Sequence, residues 1–166
     1  MNKLLMAMLL LLSVLPARAA DVAGIFREGS TQFSLIAGGG TAFNNNYTVL
    51  GAGISHYVVD GVSVGLSYEN WSGGTPSISI VSPSVQYVFY QADPVKPYVG
   101  VFYRHAFVSG GPSFNSAGAR VGFYFATSRR SVVGLGVAYE SYLNCRSSVY
   151  SSCSETYPEI SIVFAF

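Results

Sequence analysis

The sequence predicts an all-β chain, an eight-stranded antiparallel transmembrane β-barrel, and three observations predict it. Only 10% of the 166 residues are charged, while 50% are hydrophobic and 14% aromatic. A water-soluble domain carries about 25% charged residues, so water alone does not cover this surface. Apolar residues recur at every second position in run after run, with turn signals between the runs and no competing 3.6-residue stripe. The face opposite the large apolar residues is mostly Gly and Ser rather than Lys and Glu, which suits the tight interior of a small barrel.

The chain opens with MNKLLMAMLLLLSVLPARAA. Lys3 precedes an apolar run from Leu4 to Leu15, Pro16 breaks it, and Ala17-Arg18-Ala19 offers a small-x-small cleavage site. This predicts a secretory signal peptide over residues 1–19 and one barrel domain over residues 20–166. The run is shorter than the roughly 18 apolar residues a spanning helix needs, and no cysteine follows it to carry a lipid anchor. Two of the nine Lys and Arg residues, Lys3 and Arg18, lie in this leader, which leaves seven basic residues against eight acidic ones. So balanced a chain has no electrostatic footprint for nucleic acid. No later apolar stretch reaches helix-spanning length, so any membrane role falls to strands.

Strands are expected near residues 30–43, 47–59, 62–71, 78–90, 97–107, 114–126, 131–142 and 156–166. GGG at 38–40 lies inside the first strand and no helix follows it, so it is not a phosphate loop; Gly there allows curvature or close packing. Asp60-Gly61, between ISHYVV and VSVGLSY, is the sharpest hairpin signal. The other breaks fall at 44–46, 72–76, 92–97, 109–112, 127–131 and 143–155.

Alternation then assigns faces. Val62, Val64, Leu66 and Tyr68 oppose Ser63, Gly65, Ser67 and Glu69. Val81, Val85, Tyr87 and Phe89 oppose Ser82, Ser84 and Gln86. Ala117, Ala119, Val121, Phe123 and Phe125 oppose Ser116, Gly118, Arg120 and Gly122. Val133, Leu135, Val137 and Tyr139 oppose Gly134, Gly136 and Glu140, and in YPEISIVFAF the residues Ile160, Ile162, Phe164 and Phe166 oppose Glu159 and Ser161. The apolar faces are expected to meet lipid. Aromatic residues gather at both strand ends on that face: Tyr57, Tyr87, Phe89, Phe123, Phe125, Phe164 and Phe166 at one, and Phe43, Tyr47, Tyr68, Tyr103 and Tyr139 at the other. Two such girdles match the two interfaces of a bilayer. With the cleaved N-terminus in the periplasm, the short turns at 60–61, 92–96 and 129–130 face that side and the longest connection, 143–155, faces outward.

In these features the chain resembles the small eight-stranded outer-membrane barrels of Gram-negative bacteria, the group containing the OmpA membrane domain, OmpX and OmpW. SPSVQYVFYQADPVKPYVGVFY looks like the Tyr-rich hairpin with KPYVG of OmpW-like barrels, and the alternating last strand ends on Phe166. The resemblance implies an outer-membrane location, contact with outer-membrane lipid and lipopolysaccharide, and recognition of Phe164 and Phe166 by the barrel-assembly machinery. It also raises an enzyme reading, since some such barrels deacylate lipid A with a His and a Ser two residues on. His105 lies near the upper girdle on the lipid side, but the position two residues on is Phe107.

The candidate site is the inward charged set. Glu69, Arg104, Arg120, Glu140 and Glu159 share the lumen face, with His56 and Gln86 expected beside them. Charges in a narrow lumen must pair or stay hydrated, which predicts an internal salt-bridge network that largely plugs the barrel; a proton or small-ion path is the competing reading. Cys145 and Cys153 predict a disulfide on the oxidising side of the inner membrane, pinning the loop 143–155 or presenting it to a surface partner. Two cysteines without clustered His make no metal site, and neither a cofactor nor a catalytic set is called for. The expected function is a non-enzymatic, structural or surface-interacting barrel. A narrow conduit for small solutes or hydrophobic molecules is the alternative, and a lipid A-modifying enzyme the third reading.

Overall fold

A computed structural model of the chain describes residues 23–42, 45–143, 145 and 153–166. The expected leader lies outside the described residues, as does Phe43. Eight strands follow a short 3-10 turn at Ala23–Phe26: β1 (Thr31–Ala42), β2 (Asn45–Val59), β3 (Val62–Ser72), β4 (Ile78–Val88), β5 (Val95–Val108), β6 (Phe114–Ser128), β7 (Ser131–Tyr142) and β8 (Ser154–Ala165). Each strand pairs antiparallel with the next, and β8 returns to β1 to close the barrel. All-antiparallel closure pairs every strand on both sides, β1 and β8 over residues 32–38 and 159–165, which is the condition for placing strands in hydrocarbon.

The period-two pattern decides what faces where. Leu50, Ile54, Leu66, Val101, Val121 and Val137 point outward and are exposed. They form the apolar band, with Tyr87, Phe89, Phe123, Phe125 and Phe164 at the termini end, where Ala23 and Phe166 lie, and Tyr68, Tyr103 and Tyr139 towards the opposite, loop end. Exposed side chains of this size over most of the circumference suit lipid as the solvent. The turn Asp60-Gly61 joins β2 to β3 with Gly61 at φ 79°, a left-handed conformation that glycine adopts without steric cost.

Every strand boundary falls within two residues of the alternation limits, and β2, β3, β5, β6 and β8 each continue one or two residues into stretches expected to be connections. The β1–β8 ladder runs only from Gln32↔Ala165 to Gly38↔Glu159. Beyond it, Pro158 has no N–H to offer, and Gly39–Ala42 pair with β2 alone.

The lumen is stratified. Ile25, Phe26, Tyr57, Val88, Tyr98, Tyr124, Val132 and Val163 pack at the termini end as one apolar cluster. Tyr47, Val49, Trp71, Ile78, Ile80, Ala106 and Val108 pack at the loop end as another. The charged residues lie between them. The 3-10 turn is a cork for the first cluster: Phe26 is fully buried and stacks on Tyr124 at 5.7 Å. It is held by two backbone anchors, Gly61 N–H donating to Phe26 O (2.8 Å) and Gln32 Nε2 donating to Ile25 O (2.8 Å).

Candidate functional site

The centre of the lumen is organised by Arg104 on β5. Its Nη2 donates to Glu69 Oε1 at 2.9 Å and its Nη1 to Glu140 Oε2 at 2.7 Å, and all three side chains are almost fully buried. β3 and β7 deliver the two carboxylates from different sides because residues 69 and 140 fall on the inward phase of their strands. The remaining carboxylate oxygens are served by neutral donors. Trp71 Nε1 donates to Glu69 Oε2 at 3.4 Å, and the Ser116 hydroxyl donates to Glu140 Oε1. The Tyr157 hydroxyl donates to Glu140 Oε2 at 2.9 Å and also accepts from Arg104. One guanidinium thus holds two buried carboxylates, and every carboxylate oxygen has a donor. That is what keeps burial of charge tolerable in a low-dielectric interior.

Arg120 on β6 and Glu159 on β8 form a second pair, Nη1 to Oε1 at 3.0 Å. The Phe102 ring serves both cations, with the Arg104 guanidinium 4.6 Å and the Arg120 guanidinium 4.8 Å from its centroid, inside the range of cation–π attraction. Below this layer Gln86 Nε2 donates to the Tyr124 hydroxyl at 3.0 Å. Glycine makes room for the large groups: a Cβ at Gly122 would lie 2.6 Å from Tyr98 Cζ.

In the layers around Arg120, β1–β4 turn mostly Ser and Gly inward, while β5, β6 and β8 bring Tyr98, Phe102, Arg120, Tyr124 and Glu159. The mismatch leaves a cavity of about 60 Å3. Ser34, Ser55, Ser67, Ser84 and Ser161 line it, with Gln32, Gln86, Arg120 and Glu159 at its walls. The Arg120 Nε and Glu159 Oε2 atoms are buried without a protein partner.

The structure therefore brings together Glu69, Arg104 and Glu140 in one cluster and Arg120 with Glu159 in another. His56 is a correction. It points outward, is exposed, and its Nδ1 lies 3.0 Å from the Thr31 hydroxyl near the termini end. The cause is the face of β2. Leu50, Ile54 and Val58 share the even positions with His56, and Gly51, Gly53 and Ser55 share the odd ones, so the large set goes to lipid and the small set inside. The same inversion removes Tyr47 and Tyr57 from the girdles. Both are buried in the lumen, Tyr47 donating to Pro76 O at 2.8 Å and Tyr57 packing edge-on against Phe26.

His105 lies on the outer face, its Nδ1 2.6 Å from Asn115 Oδ1 and its ring edge-on to Phe107. Phe164 and Phe166 are both exposed on the outer side of the last strand. Cys145 and Cys153 are joined in a disulfide with Cα atoms 5.6 Å apart. Two lumen features escape the alternation reading. Lys96 is buried and paired with Asp93 at 2.6 Å, because β5 starts at Val95 and puts residue 96 on the inward phase. The Phe26 cork is the other; its only sequence signal is the apolar pair Ile25-Phe26 in an otherwise polar approach to β1.

No protein-family model and no curated protein matches the chain in sequence. Solved structures match its fold. The N-terminal β-barrel domain of Pseudomonas aeruginosa OprF superposes with a TM-score of 0.66 at 16% identity, covering 84% of this chain and 98% of that one. Neisserial surface protein A gives a TM-score of 0.59 at 13% identity, covering 82% and 96%, and a de novo designed transmembrane β-barrel gives 0.55 at 13%, covering 84% and 98%. The chain has the fold of the small eight-stranded outer-membrane barrels, with an outward apolar band and aromatic residues towards both of its ends.

Proposed function

We propose that the protein is a non-enzymatic outer-membrane barrel, closed to solutes, with a structural or surface-interacting role. The observation that supports this reading is the succession of buried groups along the lumen: the Trp71 cluster, the Arg104 cluster and the Phe26–Tyr124 cluster. In this reading the termini end faces the periplasm, and the end that carries the Cys145–Cys153 disulfide faces outward, where it presents a surface to a partner; most of the connection 143–155 lies outside the described residues. Phe164 and Phe166 carry the signal read by the barrel-assembly machinery, and the outer band contacts lipid and lipopolysaccharide.

Planar-bilayer recording of the refolded barrel is the test. The expected trace stays at the baseline of the empty bilayer, and stable conductance steps from the wild type would overturn the closed reading. A second reading, a conduit for hydrophobic molecules, is favoured by one observation: β1 and β8 are unpaired above Gly38↔Glu159, beside the Trp71 ring that packs against Gly40. Uptake of a fluorescent fatty acid by cells with and without the protein discriminates it. The lipid-modifying reading rests on the His105–Asn115 pair and lacks a hydroxyl at position 107. Identical lipid A masses from cells with and without the protein are expected.

A further inference from the structure

We propose that the serine-lined cavity is a binding site for a small monovalent cation, held by Glu159. The first argument is a charge count. In the middle of the lumen the carboxylates of Glu69, Glu140 and Glu159 face only two guanidiniums, those of Arg104 and Arg120. The only buried Lys among the described residues, Lys96, is committed to Asp93 at the termini end. A surplus negative charge in a low-dielectric interior is expensive and calls for a counter-charge.

The second argument locates that counter-charge. All four carboxylate oxygens of Glu69 and Glu140 already accept hydrogen bonds, from Arg104, Trp71, Ser116 and Tyr157. These bonds leave neither carboxylate an oxygen without a donor. Glu159 differs. Its Oε1 is held by Arg120, its side chain is only 7% exposed, and its Oε2 has no protein partner. The cavity that Glu159 lines is polar, with six serine hydroxyls and two glutamine amides among its walls.

The third argument is chemical. Hydroxyl, amide and carboxylate oxygens are hard ligands and select hard cations over soft metals. A single free carboxylate oxygen matches one positive charge. Among the described residues no group of three or more His, Cys, Asp or Glu side chains could hold a metal ion, so the ligand set does not suit a divalent ion. The cavity of about 60 Å3 has room for an ion with a few waters, since one water needs roughly 10–15 Å3 of such space. The site stands whether or not the lumen conducts.

Thallium(I), a monovalent cation with a strong anomalous signal, is the direct probe. Crystals of the wild-type barrel soaked in thallium acetate are expected to show an anomalous peak in the cavity beside Glu159. A map without that peak, or with thallium only elsewhere in the lumen, would overturn the site. The second readout is the temperature at which the folded band is lost on a detergent gel, compared in sodium, potassium and choline chloride at equal concentration. Sodium or potassium should raise this midpoint by several degrees over choline in the wild type, and the difference should vanish in Glu159→Gln. Ser55→Val narrows the cavity while keeping the Arg120–Glu159 pair, and should also abolish it if Glu159→Gln fails to refold. Equal midpoints in all three chlorides, or a difference that survives both substitutions, refute the proposal.

Discussion

Arg104 and Arg120 lie against the same phenylalanine ring, yet their surroundings differ in kind. Arg104 is enclosed by two carboxylates that are themselves saturated with donors, and its side chain is 1% exposed. Arg120 has one carboxylate, and the pair borders a cavity that water or an ion can enter. Both are lumen ion pairs, but only the second borders a polar cavity. A fully enclosed pair is dangerous to break, because the surviving charge has nothing to replace its partner. A pair beside a hydrated space is less so, because water takes over part of the solvation.

The largest expected effect follows from that contrast. Arg104→Met leaves Glu69 and Glu140 facing each other without a cation and should destabilise the barrel by about 3–5 kcal/mol. Urea unfolding followed by the folded-to-unfolded band ratio on gels reads it. If Arg104→Met costs no more than Arg120→Met, the distinction between an enclosed cluster and a pair beside a cavity is wrong. Arg120→Met should cost less, about 1–2 kcal/mol, since Glu159 keeps access to the cavity.

Glu69→Gln sharpens the comparison from the anionic side. It removes one of two carboxylates that share one guanidinium, so Arg104 keeps Glu140 and the surplus negative charge falls. The amide still offers an oxygen to Arg104 but turns an N–H towards Trp71 Nε1, which costs one hydrogen bond, about 1 kcal/mol. A loss as large as that of Arg104→Met would show that both carboxylates are indispensable to the cluster.

The barrel was legible because lipid demands a strict period of two, and the contrast between large apolar and small faces states it strand by strand. The charged cluster was legible for the same reason. Residues 69, 104, 120, 140 and 159 share their phase with Gly and Ser, and a narrow lumen forces inward charges to meet. Which carboxylate meets which arginine was not legible, since stagger between strands sets the layers and alternation carries no record of it. The Phe26 cork was hidden too. A 3-10 turn of four residues has no periodicity to read, and its burial depends on the lumen it enters. Strand β2 carries conflicting signals: Tyr47 and Tyr57 look like girdle residues, but Gly51, Gly53 and Ser55 on the same phase mark that face as interior.

His56 supplies the smallest expected effect and the sharpest check on that correction. Inside the lumen it would add a third basic group to the Arg104 and Arg120 layers, and replacing it would disturb the charge balance there. On the outer face it bonds Thr31 near the termini end and touches neither cluster. His56→Leu should therefore change stability by no more than about 0.5 kcal/mol, as expected for a surface substitution away from special features. It should also leave the cost of Arg104→Met unchanged in the double variant, because sites without shared partners add. Coupling between the two above that level would return the histidine to the lumen and reverse the face assigned to β2.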